Sequence, residues 1–289
     1  MKHLILATCL MSAPAFAQEK REAPISDTED ASLGFVTVGS GRLHPVIGLD
    51  VRNGDFVRGS YDDDAASLDR LPIHAQIGLV YELVRDPKGD ATTWLMVRSS
   101  NGFHAPLSDE TTSPRAWYES NNLVGLAARL APGLTGAATY AIKTSPNGVS
   151  DTTHEVSAAF SLDRSGGLGS LKPGFAATWR PKGGGGSYTQ ASIEPGWNLG
   201  KAEHALHLSI PAVLGVGWNS FYESGSGNRV YGSAGLAVEA PLPLGGGHWS
   251  ARAEGLAVIR DNRLRALGGN RADHGPVEPY FTLSLSYAY

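Results

Sequence analysis

The last ten residues of the chain read Tyr280-Phe281-Thr282-Leu283-Ser284-Leu285-Ser286-Tyr287-Ala288-Tyr289. Apolar or aromatic residues alternate with small ones along this stretch. Because successive side chains of a β-strand point to opposite faces, the alternation predicts a strand with one apolar face and one small, mostly polar face. The apolar face consists of Phe281, Leu283, Leu285, Tyr287 and Tyr289.

In this ending the chain resembles Gram-negative outer-membrane β-barrels, whose last strand finishes on an aromatic residue with apolar residues at alternate positions before it. The resemblance implies that these five residues form the signal read by the barrel assembly machinery. It also implies a location in the cell outer membrane, in contact with lipid and lipopolysaccharide. These ten residues alone would also fit the last strand of a soluble β-sandwich, which remains an alternative.

The other end of the chain has the pattern of a secretory signal peptide. Lys2 precedes an apolar run, and Ala15-Phe16-Ala17 supplies a small-residue cleavage site. We therefore predict a cleaved signal peptide over 1–17, a polar and acidic periplasmic lead-in over 18–31, and a barrel over 32–289. Removal of 17 residues from 289 leaves 272 and removes Cys9, the single cysteine, so disulfides are not expected.

The composition argues against a nucleic-acid partner and against a membrane-spanning helix. Without Lys2 the mature chain carries 23 basic residues against 28 acidic ones, a net charge of −5, and no basic stripe, so no nucleic-acid partner is expected. No apolar run after the signal peptide reaches the ~18–20 residues of a spanning helix. A chain of this kind would cross a membrane with strands.

Alternating segments recur along the chain between clusters of Gly, Pro, Asp and Asn. The connections after even-numbered segments are short, and those after odd-numbered segments are mostly longer. This is typical of a closed antiparallel up-and-down barrel with both termini in the periplasm. The fold prediction is thus an all-β transmembrane barrel of about twelve strands, in the segments 33–52, 71–84, 91–100, 117–130, 134–144, 153–162, 169–180, 187–199, 203–214, 230–240, 248–260 and 277–289.

Charged residues of the predicted strands fall on the face opposite the apolar one. A charge that faces lipid near the midplane costs ~2–4 kcal/mol, so this face should line the lumen. The two signs nearly balance, and such groups either line a narrow aqueous pore or pair across the lumen and help to fill it. The pore-lining residues assigned by strand parity are Asp50, Arg52, Glu82, Arg98, Glu119, Arg129, Lys143, Glu155, Lys172, Arg180, Glu194, Glu239, Arg252, Glu254 and Arg260.

Several aromatic residues lie near the predicted strand ends, where a membrane barrel carries interfacial girdles. An ordinary core would also accommodate them. They are Trp94, Trp117, Tyr118, Trp179, Tyr188, Trp197, Tyr231 and Trp249.

One motif raises the question of catalysis. Twelve strands and this chain length resemble the outer-membrane phospholipases, and Ser100-Asn101-Gly102 resembles part of their His-x-Ser-Asn-Gly motif. The position of the catalytic histidine is occupied by Arg98, which cannot act as a base near neutral pH. His104 lies about 13 Å along an extended chain from Ser100, beyond hydrogen-bond reach. No catalytic residue is predicted, and the chain is not expected to be an enzyme.

No metal or cofactor is predicted either. Asp62-Asp63-Asp64 with Asp69 lacks the spacing of a calcium loop, and the histidines are scattered. His204 and His207 would lie on opposite faces of a strand.

The C-terminal part also resembles exported porin-like barrels of the TorF-like kind, and this resemblance implies passive passage of small solutes. The predicted function is a porin-like channel for small hydrophilic solutes. A barrel-embedded lipid hydrolase of the phospholipase or deacylase type, and a plugged structural or adhesive barrel acting through its outer loops, remain alternatives. The resemblance rests on Thr144-Ser145-Pro146-Asn147-Gly148, His154-Glu155, Phe221-Tyr222-Glu223, Pro241-Leu242, Gly247-His248-Trp249 and the terminal strand.

Overall fold

The structure is a computed structural model, and it describes residues 42–61, 64, 66–88, 91–108, 110–200, 205–223, 225–245, 247–267 and 275–288. The predicted signal peptide, the predicted lead-in and Tyr289 lie outside these residues. The termini are therefore not assigned to a side of the membrane.

The described chain is almost entirely β-structure. Its two helical segments are a 3-10 turn at Gly167–Leu171 and α1 at Asn262–Arg265, and no described helix is long and apolar enough to cross a membrane. The strands are β1 (Leu43–Arg52), β2 (Phe56–Val57), β3 (Ser60–Tyr61), β4 (Ile73–Arg85), β5 (Ala91–Phe103), β6 (Trp117–Ala131), β7 (Leu134–Thr144), β8 (Thr153–Leu162), β9 (Gly174–Lys182), β10 (Ser187–Ile193), β11 (Gly196–Leu199), β12 (Leu206–Ser209), β13 (Ala212–Trp218), β14 (Arg229–Leu242), β15 (His248–Arg260) and β16 (Val277–Ala288).

The main sheet closes on itself as an antiparallel barrel. Its first strand, β1, pairs with β4 on one side and with the last strand, β16, on the other, where Leu49 faces Leu285. The pairs β10–β11 and β12–β13 each form one interrupted strand, so the fourteen segments of this sheet make twelve barrel strands among the described residues. The prediction of a closed twelve-stranded barrel is confirmed.

Two prolines explain the interruptions. Proline has no backbone N–H to donate to a sheet ladder, so a strand that contains it must bend or pair on one side only. Pro195 separates β10 from β11, and Pro211 separates β12 from β13. Their carbonyls still accept hydrogen bonds, from Ile210 N at 2.9 Å and from Gly235 N at 3.0 Å respectively. The wall therefore remains continuous at this point.

The connections fall into two sets at opposite ends of the barrel. We call one end the long-loop rim (connections 53–72, 104–116, 145–152, 183–186, 219–228 and 261–276) and the other the short-turn rim (86–90, 132–133, 163–173, 200–205 and 243–247). Several predicted boundaries are wrong. The segment predicted at 203–214 begins at Leu206 and extends to Trp218, and the one predicted at 91–100 extends to Phe103. The segment predicted at 169–180 begins at Gly174, because the 3-10 turn precedes it.

The outer surface of the barrel is a belt of exposed apolar side chains. Ile77, Leu126, Trp179, Leu236 and Leu283 come from five different strands, and each is more than half exposed. Phe281 is also exposed on this face, with Leu285 and Tyr287 partly buried. A soluble monomer rarely exposes a contiguous apolar area of this extent, whereas lipid-facing strands require it.

Candidate functional site

The chain enters the lumen directly after β1. Asn53 continues the pairing with β16: its side-chain amide donates to Pro279 O at 3.0 Å, and its Oδ1 accepts from Phe281 N at 2.8 Å. Residues 55–61, which include β2 and β3, then contact side chains from β8, β10, β14 and β16. Contacts with so many parts of the wall require that this segment, the inward hairpin, lies inside the barrel at the long-loop end.

The turn of the inward hairpin is defined by two residues with positive φ. Arg58 has φ 48° and Gly59 has φ 92°, as in a type I′ turn, which matches the twist of the flanking strands. A Cβ at Gly59 would also lie 2.4 Å from the Tyr231 ring. Position 59 therefore requires glycine both for its backbone conformation and for its contact with β14.

An aromatic cluster holds the base of the inward hairpin. Phe56 is buried against Tyr61, Tyr231 and Tyr280, with ring centroids 5.4, 5.8 and 5.5 Å away. Tyr231 and Tyr280 belong to β14 and β16, so the hairpin packs on that side of the wall. Burial of one such ring contributes about 1.5–3 kcal/mol.

The tip of the inward hairpin is held on the opposite side of the barrel by ion pairs. Arg58 donates to Glu155 of β8 at 2.9 Å. Glu155 is fully buried and also contacts Arg180 at 2.7 Å and Lys143 at 3.6 Å. Three cations around one carboxylate make Glu155 the centre of this network, and the Arg58 carbonyl additionally accepts from Tyr222 at 2.6 Å.

A second ionic cluster lies on the wall formed by β1, β4 and β6. Arg52 Nε donates to Asp50 Oδ1 at 2.5 Å, and His74 Nδ1 lies 3.2 Å from the same oxygen. On the other side of the ring, His74 Nε2 lies 3.3 Å from Glu119 Oε2 and 3.5 Å from Asp55 Oδ1. All five groups are buried.

A β-bulge places two consecutive residues of β6 in this cluster. Gly102 pairs with Glu119 and Phe103 with Trp117, so Tyr118 has no partner in the ladder with β5. Bulges of this kind redirect side chains, and here Tyr118 is buried with its hydroxyl 2.8 Å from His74 Nε2. Strand parity from the sequence could not predict that both residues face inward.

Charged side chains at the level of the inward hairpin are buried. A further buried pair, Arg260 with Glu278, lies beside it, and the Arg260 guanidinium is 5.2 Å from the centroid of Tyr61. Arg58, Glu155, Arg260 and Glu278 are each at most 5% exposed. Arg58 of the hairpin reaches Glu155 from inside the lumen, whereas Arg260 and Glu278 lie on the neighbouring strands β15 and β16.

In the half of the lumen nearer the short-turn rim, one side of the wall is apolar and the other side is charged. On β1, β4, β5 and β6 it carries an apolar cluster that includes Val46, Trp94 and Met96. On the other side Arg252 pairs with Glu194 at 2.8 Å and also with Glu254, and these side chains remain 19–36% exposed. The mixed-charge lining predicted from parity is thus accessible to water on this side.

The predicted pore-lining residues have different surroundings. Asp50, Arg52, Glu82, Glu119, Glu155 and Arg260 are buried in the interior, whereas Arg98, Arg129, Lys143, Arg180, Glu194, Glu239, Arg252 and Glu254 are half-buried. Glu82 pairs with Arg85, and Arg98 donates to Gln76. The strand position of Lys172 is wrong, because this residue follows the 3-10 turn in the left-handed conformation.

The aromatic residues near strand ends divide between the two faces. Trp94, Tyr118, Tyr188 and Tyr231 are buried inside the barrel, so the girdle interpretation is wrong for them. Trp117, Trp179 and Trp197 are exposed on the outside, where a girdle would lie.

The Ser-Asn-Gly motif lies at the end of β5. Ser100 is 1% exposed and faces the interior, between Gln76 of β4 and Asn121 of β6 in the register. Neighbouring Ser99 and Asn101 face the other way. The hydroxyl of Ser100 therefore does not contact the apolar outer surface.

Two long-loop-rim connections are tied together above the lumen. Arg70 pairs with Asp64 and, at 2.6 Å, with Glu110, while His104 Nδ1 lies 2.8 Å from Asp64 Oδ2. Burial alone would raise the pKa of Glu110, but hydrogen bonds from the Arg70 guanidinium outweigh it and hold that pKa below its ordinary value. These contacts link connection 53–72 to connection 104–116.

Sequence reasoning did not assign Asp55, Arg58 or His74 to the site. The first two lie in a segment predicted as a loop, and only the turn-forming Asn53-Gly54 and Arg58-Gly59 pairs signalled a local reversal there. His74 lies on the predicted polar face of its strand, but its carboxylate partners come from distant segments.

No protein-family model matches the chain, and no curated protein matches it, so the resemblance to TorF-like barrels stays a prediction. Solved structures similar to this one include LpxR from Salmonella typhimurium, with a TM-score of 0.44 and 9% identity over 84% of this chain and 99% of that chain. They also include a NanC porin, with a TM-score of 0.45 and 8% identity over 84% of this chain and 98% of that chain. A bacterial polysaccharide outer membrane secretin has a TM-score of 0.44 and 10% identity over 86% of this chain and 98% of that chain. Likenesses of this degree do not identify a function.

Proposed function

We propose that the protein is an outer-membrane channel for small hydrophilic solutes, with the inward hairpin as its constriction. The observation that carries the proposal is the combination of two features of the lumen. A mixed-charge lining that water reaches, around Arg252 and Glu194, lies on one side of the short-turn half. A hairpin anchored through Arg58 narrows the long-loop half.

The membrane location is supported by the outer surface. The apolar belt covers the faces of the strands opposite the buried charges, and a closed barrel satisfies the backbone hydrogen bonds of every strand without water. Charges such as Asp50 and Glu155 are tolerated in such a barrel because they face its interior.

A charged lumen of this kind suits small polar solutes without a strong preference of sign. The buried hairpin pairs Arg58 with Glu155, and the accessible lining pairs Arg252 with Glu194 and Glu254. Around Glu155 the cations Arg58, Arg180 and Lys143 are in excess, whereas around Arg252 the two carboxylates are, so the surpluses have opposite signs and no single sign dominates the lumen.

Planar-bilayer conductance of the refolded mature chain, residues 18–289, tests this proposal. We expect small stepwise currents for the wild type and larger steps for Arg58→Ala, because that substitution removes the anchor to Glu155. Arg263→Ala is the matched control, since Arg263 is exposed on the same rim, and its currents should equal those of the wild type. Equal currents for all three proteins would contradict a constriction at the hairpin.

The complete burial of the Arg58–Glu155 and Arg260–Glu278 pairs favours a second candidate function. A barrel that is permanently closed would act through its outer loops as a structural or adhesive protein. It predicts that neither the wild type nor Arg58→Ala conducts, although both fold and insert. The same bilayer experiment therefore separates the two candidates.

A further inference from the structure

Three buried groups from separate segments converge at the edge of the inward hairpin. They are Asp55, which precedes β2, His74 of β4, and Glu119 of β6. One possible ligand atom from each lies within 4.8 Å of the other two. Two buried carboxylates this close together are unfavourable unless a cation or a proton lies between them.

Asp55 lacks the partners that a buried carboxylate requires. Its side chain is 0% exposed, and neither oxygen has a hydrogen-bond partner among the described residues. The ion-pair contact from His74 Nε2 is 3.5 Å long, beyond a good hydrogen bond. An ionised carboxylate in this state is strongly unfavourable unless a cation compensates it.

The orientation of His74 leaves one nitrogen available to such a cation. Its Nδ1 lies 3.2 Å from Asp50 Oδ1, and Asp50 is itself fixed by Arg52. Donation from Nδ1 to Asp50 leaves the Nε2 lone pair directed towards Asp55 and Glu119. A carboxylate behind the distal nitrogen is the usual support of a metal-binding histidine.

We propose that Asp55, His74 and Glu119 bind one divalent transition-metal ion of the Zn²⁺ type. One imidazole and two carboxylates are ligands that Zn²⁺ accepts, and Ca²⁺ is disfavoured because it takes oxygen ligands. The ion would fasten the inward hairpin segment to β4 and β6. Binding by these residues does not depend on whether the barrel conducts.

Tyr118 supplies a competitor for the same nitrogen. Its hydroxyl lies 2.8 Å from His74 Nε2 and donates to it when Nδ1 carries the proton. A bound ion would displace this hydroxyl. Tyr118→Phe should therefore bind the ion at least as tightly as the wild type.

The rival arrangement has no metal: a doubly protonated His74 and Arg52 compensate Asp50 and Glu119, and Asp55 is protonated. It needs no metal, and it predicts that the folded barrel does not bind Zn²⁺ at this site. Direct binding measurements separate the two.

The experiment is Zn²⁺ titration by calorimetry of the chelator-treated, refolded mature chain in detergent, with metal content measured by mass spectrometry. We expect the wild type to bind one ion per chain. Asp55→Asn and Glu119→Gln should each bind Zn²⁺ at least about 100-fold more weakly. Asp50→Asn should lose about 10–100-fold in Zn²⁺ affinity, because Asp50 orients His74. Asp69→Asn is the matched control, because it makes the same change at an exposed site in the same connection, and its affinity should not change.

Heat-dependent gel migration identifies which variants fold, and the two ligand variants serve as alternatives if one does not. A folded wild type that binds no Zn²⁺ would overturn the proposal. Folded Asp55→Asn and Glu119→Gln proteins that both bind as tightly as the wild type would also overturn it, because the ion would then lie elsewhere.

Discussion

At the scale of single residues, the lumen depends on charges that are sealed from water. Glu155 is the clearest case, because one carboxylate with no exposed surface contacts Arg58, Arg180 and Lys143. Removing one member of such a network leaves the others buried without compensation. The free energy of unfolding then falls by much more than an intact pair contributes to it.

Replacement of Glu155 by glutamine should destabilise the barrel strongly. The side chain keeps its size but loses its charge, so the buried Arg58 and the half-buried Arg180 and Lys143 lose their common partner. We expect a loss of about 3–5 kcal/mol in the free energy of unfolding, measured by denaturant titration in detergent. Glu223→Gln, at an exposed position, should change stability by less than about 0.5 kcal/mol. Equal stability of the two variants would show that the network is not formed.

Replacement of Ser100 by alanine tests the hydrolase alternative at the same scale. Ser100 is buried between Gln76 and Asn121, away from the lipid-facing surface, and Arg98 occupies the position two before it. We expect neither the wild type nor Ser100→Ala to hydrolyse phospholipid or acyl-ester substrates in detergent or vesicles. Hydrolysis by the wild type that the substitution abolishes would restore that alternative.

At the scale of elements, the inward hairpin is the part that makes this barrel different from an empty one. Its aromatic base packs on β14 and β16, and its tip pairs with β8. The two anchors lie on different parts of the wall, so the hairpin spans the lumen between them.

Gly59→Ala should displace the inward hairpin. The new Cβ would lie 2.4 Å from the Tyr231 ring, and the φ of 92° disfavours any other residue. Gly184→Ala is the matched control, because Gly184 has φ 99° but no atom within 4 Å of the added Cβ. We expect both to lose about 1–3 kcal/mol through backbone strain, with increased conductance in Gly59→Ala alone. Unchanged conductance in Gly59→Ala would contradict the tight packing at this contact.

The sequence predicts the strands far better than it predicts the hairpin. Alternation identifies the two faces of β4, β8 and β16 because the period of a strand is two and lipid penalises charge on one side. It fails at Tyr118, where a bulge breaks the period, and at Lys172, where a 3-10 turn replaces the strand. It cannot predict the inward hairpin, whose position depends on contacts with residues about 100 or more positions away.

At the scale of the whole molecule, the barrel combines an apolar outer belt with an interior whose charges are buried at one level and partly exposed at another. The outer belt, with residues such as Leu126 and Leu236, accounts for the proposed membrane location. In the proposed channel, the inward hairpin and not the wall controls passage. The wall itself is closed by the pairing of β1 with β16.

The most direct test of this account is the single-channel conductance of a mature chain in which residues 55–60 are replaced by a short Gly-Ser linker. The hairpin-deleted barrel should fold, as judged by heat-dependent gel migration, and should conduct in much larger steps than the wild type. A hairpin-deleted barrel that inserts into the bilayer but conducts no better than the wild type would contradict the claim that this hairpin is the constriction.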